Sequence, residues 1–70
     1  MSRNQKYRKL LKLYESEKES DLVLFLDKIY TMKKYQIESF IQWVESNIHS
    51  WAMRESLIGS LQGRLYDIVD

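Results

Sequence analysis

The chain contains no proline and no cysteine, and its two glycines, Gly59 and Gly63, stand four residues apart in the last quarter. Average usage would place roughly eight glycines and prolines in a chain of this length. The scarcity excludes a disulfide scaffold, a proline-rich linker, a glycine-rich phosphate loop and most tightly turned β folds. What remains is a chain of helices joined by short connections, with no proline to stop any of them sharply.

Seventy residues allow one domain, taken here as 1–70. A chain of about this size buries only about 60% of its unfolded surface, and such chains often add disulfides, a metal or a partner subunit. With no cysteine and a single histidine, neither of the first two is expected, so association is the expected source of extra stability. Eleven basic and ten acidic residues leave a net charge of +1, which by itself favours neither nucleic acid nor membrane. Nine aromatic residues are too many for a disordered tail. The longest apolar run, Leu22 to Leu26, is far too short to cross a bilayer, and the basic start is followed by no long apolar stretch. A cytoplasmic protein is expected.

Four helical patterns can be traced. The first begins after Ser2, where Ser2 and Gln5 have the spacing of a capping box, and carries Tyr7, Leu10, Leu11 and Tyr14 on one face. Glu15, Glu17, Glu19 and Asp21 suit a helix start, where carboxylates meet the positive end of the dipole. A break near 17–20 with Ser20 as cap is therefore expected. The second helix spans about Asp21 to Met32. Its stripe is Leu22, Phe25, Leu26 and Ile29, widened by Val23, Leu24 and Tyr30, so it reads as buried on several sides. A strand through Leu22–Leu26 competes, but helical spacing resumes from Asp27. The third helix carries Ile37, Phe40, Ile41, Val44 and Ile48, and Thr31 is a candidate cap for it. Because Leu26, Ile29, Lys33, Ile37, Phe40 and Val44 keep one helical phase, a single rod spanning helices two and three is an alternative reading. Asn47, His49 and Ser50 mark a firmer break. The last helix runs from about Trp51 to Val69 with Leu57, Ile58, Leu61, Leu65 and Ile68 inward and with Trp51 and Val69 on the flank.

Nothing in the sequence assembles a catalytic constellation. Neighbouring residues on a helix point apart, so His49 is poorly placed to activate Ser50; the pair is better read as shaping a helix start. Glu15, Glu19 and Asp21 lack the central glycine and the ligand alternation of a calcium loop. No phosphate-binding loop or dinucleotide fingerprint is present. No catalytic residue, metal or cofactor is expected.

Three features point to binding instead. Arg8, Lys9 and Lys12, joined by Gln5 and Ser16, lie opposite Tyr7 and Leu10. With Arg3 and Lys6 they make a basic helix without an acid before Glu15, able to neutralise phosphates or to serve as a solvated outer face. Ala52, Ser56, Gly59 and Gly63 fall on one face of the last helix, opposite Leu61. Two glycines within a helix cost about 1 kcal/mol each relative to alanine, so they either let another backbone approach closely or end or bend the helix. Leu24, Tyr35, Trp43 and Tyr66 lie off the centres of their helical stripes, and aromatic residues so placed serve either as interface anchors or as ordinary core. The stretch Asn47–Ile58 has some helix-turn-helix spacing at Ile48, Met53 and Leu57. Against it, Trp43 stands where a small residue is needed, no glycine occupies the turn, and the last helix is long and apolar.

The expectation is an all-α bundle of three or four helices, homodimeric, acting without catalysis as a small regulator or inhibitor that docks on another protein. The interface candidates are Leu24, Tyr35, Trp43, Ala52, Ser56, Gly59, Gly63 and Tyr66. The competing expectation is a nucleic-acid-binding regulator using Arg3, Lys6, Arg8, Lys9 and Lys12; membrane binding ranks below both.

Overall fold

The computed structural model describes residues 3–68. Among these residues the chain is entirely helical, with four helices and no strand: α1 (Arg3–Glu15), α2 (Glu19–Thr31), α3 (Lys34–Asn47) and α4 (Trp51–Asp67). They form two units, divided between Thr31 and Met32: a hairpin of α1 and α2 and a hairpin of α3 and α4. The proposed capping box of Ser2 and the flank position of Val69 lie outside the described residues.

In the first hairpin, α1 turns its Tyr7 and Leu10 inward, with Leu11 and Tyr14 half-buried beside them, as their helical spacing predicts. From α2, Phe25 and Ile29 are buried, and the rings of Tyr14 and Phe25 stand 5.1 Å apart at an interplanar angle of 56°. Burying a large apolar side chain of this kind contributes roughly 1.5–3 kcal/mol.

The turn between α1 and α2 departs from expectation. The helix breaks at Ser16–Lys18, and Glu17 adopts the left-handed conformation (φ 61°) that usually calls for glycine after a helix end. The Ser16 hydroxyl donates to the Leu13 carbonyl (3.1 Å) and accepts from the Lys18 amide (3.3 Å). Leu22 N–H then donates to the Lys18 carbonyl (2.9 Å), opening α2. Ser20 is thus inside the first turn and does not cap. The left-handed residue swings the chain round before Ser20 is reached, and Glu19 and Asp21 are left in the first turn, where the helix dipole favours them.

Helices two and three are separate, so the single-rod reading is overturned. Thr31 ends α2 and caps nothing that follows: its hydroxyl donates back to the Lys28 carbonyl at 2.7 Å, satisfying one of the acceptors orphaned at a helix end. Lys33 is extended (φ −80°, ψ 161°), and its amide donates to Gln36 Oε1 at 2.8 Å. That bond is the reverse half of a capping box, supplied by a glutamine three residues into the helix.

In the second hairpin, Ile37, Phe40, Ile41 and Val44 of α3 and Ile48 of the following link are buried, as are Leu57, Ile58 and Leu61 of α4. Leu65 and Ile68 are half-buried. α3 ends with Asn47 Nδ2 donating to the Trp43 carbonyl (2.9 Å) and with Ile48 leaving in an extended conformation. Ser50 caps α4 by accepting from the Met53 amide at 3.5 Å. α4 continues through both glycines to Asp67, so neither Gly59 nor Gly63 ends it.

Candidate functional site

The exposed surface of the first hairpin carries two distinct features. One is apolar. On α2, Val23 (59% exposed), Leu26 (49%) and Tyr30 (58%) recur at i, i+3 and i+7 and share one face, with Leu24 (50%) beside them. The expectation that α2 is buried on several sides, with Leu26 in its inner stripe, is therefore overturned. Five consecutive apolar residues wrap right round a helix, and here the inward arc takes Phe25 and Ile29 with Leu22 half-buried. The sequence reads Leu26 as part of the inner stripe and Val23 and Tyr30 as widening it, because their arc adjoins the buried one and periodicity does not say where a packing face ends.

The other feature is basic. Arg3, Lys6, Arg8, Lys9 and Lys12 are all exposed on α1. Gln5, Arg8, Lys9 and Lys12 line one open depression of about 390 Å³. A second, of about 350 Å³, is lined by Lys6, Lys9 and Leu10 from α1 and by Lys28 and Thr31 from α2. Lys9 belongs to both. Lys28 was not among the candidate residues, because which edge of α2 lies against α1 depends on the turn at Glu17 and has no signature in α2 itself. Among the described residues, none of Lys6, Arg8, Lys9, Lys12 and Lys28 is engaged in an ion pair.

In the second hairpin the candidates scatter. Tyr35 is exposed on α3, and Tyr66 is 90% exposed on α4, where it lines an open depression with Gln62 and Leu65. Trp43 is half-buried, its ring 6.1 Å from that of Phe40, so part of it belongs to the packing of α3. Ala52, Ser56, Gly59 and Gly63 are all exposed along α4. Apart from the adjacent residues and the helix's own backbone, no atom lies within 4 Å of where a β-carbon would stand on either glycine, so the small face has no close neighbour at those two positions. Trp51, placed on the flank, is 68% exposed.

Among the described residues no three His, Asp or Glu side chains gather in a way that could hold a metal ion. His49 and Ser50 are both exposed, and Ser50 is the α4 cap. No described helix is long and apolar enough to cross a membrane. No protein-family model, no curated protein and no solved structure matches the chain.

Proposed function

We propose that this chain is a small, non-enzymatic cytoplasmic interaction protein, a regulator or inhibitor that docks through a helical surface on another protein and is itself a homodimer. The observation that carries the reading is the apolar face of α2, where Val23, Leu26 and Tyr30, flanked by Leu24, are each about half exposed or more. Scattered surface apolar residues need no explanation, but a contiguous run on one helix marks an interaction site. A net charge of +1 leaves little long-range repulsion between two copies. Tyr35 and Tyr66 are further exposed anchors, and the small face of α4 would admit a closely approaching helix.

Sedimentation analysis at micromolar concentration tests the dimer. The wild type is expected at twice the chain mass, and Val23→Glu with Leu26→Glu is expected to sediment as a folded monomer. A wild type that sediments as a monomer would remove the dimer from this reading. Gly63→Leu separates the two surfaces: loss of the dimer implicates the small face of α4, and an unchanged mass confines the contact to α2.

A further inference from the structure

We propose that the groove between α1 and α2 binds the phosphate backbone of a nucleic acid, with Lys28 of α2 completing a basic surface begun by α1. The groove and the depression beside it share Lys9, so Lys6, Arg8, Lys9, Lys12 and Lys28 form one continuous set spanning both helices. Lys6, Lys9 and Lys12 recur every three residues along α1, a step of about 4.5 Å at 1.5 Å per residue. Long lysine side chains on such a row can follow a linear array of phosphates, which in duplex DNA present a charge every 3.4 Å of axis per strand.

The near-neutral total charge conceals this. Residues 3–14 hold five cations and no acid, while Glu15, Glu17, Glu19 and Asp21 cluster at the turn. The five groove cations have no ion-pair partner among the described residues, so binding an anion breaks no pair within them. The outer face of α1 also argues against a lipid surface. Gln5, Arg8, Lys9 and Lys12 occupy it, whereas Tyr7 and Leu10 are buried and Leu11, Leu13 and Tyr14 half-buried, which leaves little apolar side chain to enter a bilayer. Nor does the groove depend on the proposed dimer, whose apolar contact uses other residues of α2.

Fluorescence anisotropy with a labelled mixed-sequence DNA duplex, titrated across sodium chloride concentrations, tests the proposal. If the five cations engage, the logarithm of affinity falls against the logarithm of salt with a slope of about −4.5, a loss of roughly five hundredfold between 50 and 200 mM. Lys28→Gln and Lys9→Gln are each expected to make the slope shallower by about 1. Lys33→Gln, a basic residue outside the groove, is expected to leave it unchanged, and circular dichroism verifies that each variant remains helical. Absence of binding at low salt overturns the proposal, and so does a slope that Lys28→Gln does not move. Two further results do the same. Retention on phosphatidylserine vesicles under conditions that release DNA would make the ligand a membrane. A mass that falls with salt in the absence of DNA, and falls again with Lys28→Gln, would make the occupant the acidic turn of a second copy.

Discussion

Seven large apolar or aromatic residues lie on the thirteen-residue α2 and six on the fourteen-residue α3, yet α2 buries two of its residues and α3 buries four. Composition therefore does not separate the helices; spacing does. In α3 the inward residues Ile37, Phe40, Ile41 and Val44 keep the i, i+3, i+4, i+7 rhythm, so one face collects them. In α2 five apolar residues are consecutive, and a helix that turns 100° per residue must send some of them outward. Among the described residues nine of the thirteen buried apolar side chains belong to the second hairpin and four to the first. The regular hairpin buries most of its aliphatic residues in its own core, and the irregular one leaves Val23, Leu24, Leu26 and Tyr30 exposed beside a basic groove.

The strongest challenge to this contrast is Phe40→Ala. Phe40 is fully buried, and truncating such a ring costs about 3–5 kcal/mol. That is of the order of the whole stability a chain this small can hold. Loss of the helical circular dichroism signal at 25 °C is expected. Val23→Ala on the exposed face of α2 is expected to change stability by less than about 0.5 kcal/mol. Comparable losses from the two would mean that the exposed face is in fact packed.

Smaller effects are expected where the backbone is unfavourable. Glu17→Gly removes the side chain from a left-handed residue, a conformation that costs roughly 1–2 kcal/mol in ordinary residues. Part of that gain is offset by the greater freedom of glycine in the unfolded chain. A net stabilisation of about 1 kcal/mol in urea titration is expected for the first hairpin. Gly59→Ala and Gly63→Ala act on the second. Both sites are helical with open space where the β-carbon would go, so each is expected to stabilise by up to about 1 kcal/mol. Destabilisation by either would show that the α4 face is in close contact with another backbone.

Much of this architecture is legible in the residues. The inward faces of α1, α3 and α4 follow from their spacing, and the α4 start follows from Ser50. The helix junctions around α2 carry no such signature, for a shared reason. Both are made by residues with no reputation for the job: Glu17 in a left-handed turn, Lys33 at a cap position with Gln36 reaching back to it. Propensity favours Ser20 and Thr31 there, but local hydrogen bonding by Ser16 and by Thr31 itself makes the ends fall elsewhere. The basic residues of α1 were visible at once. Lys28 was not, since its membership depends on how two helices are set against each other across that turn.

The placement of Trp43 and Trp51 has an optical consequence. Both tryptophans lie in the second hairpin, whereas the first carries none. Selectively excited tryptophan emission therefore reports residues 32–68 alone, while circular dichroism sums all four helices. Within that emission, the more exposed Trp51 will be the first to yield to an aqueous quencher, leaving the bluer light of Trp43 beside Phe40. Denaturation curves from the two methods will superimpose only if the two hairpins melt as one cooperative body.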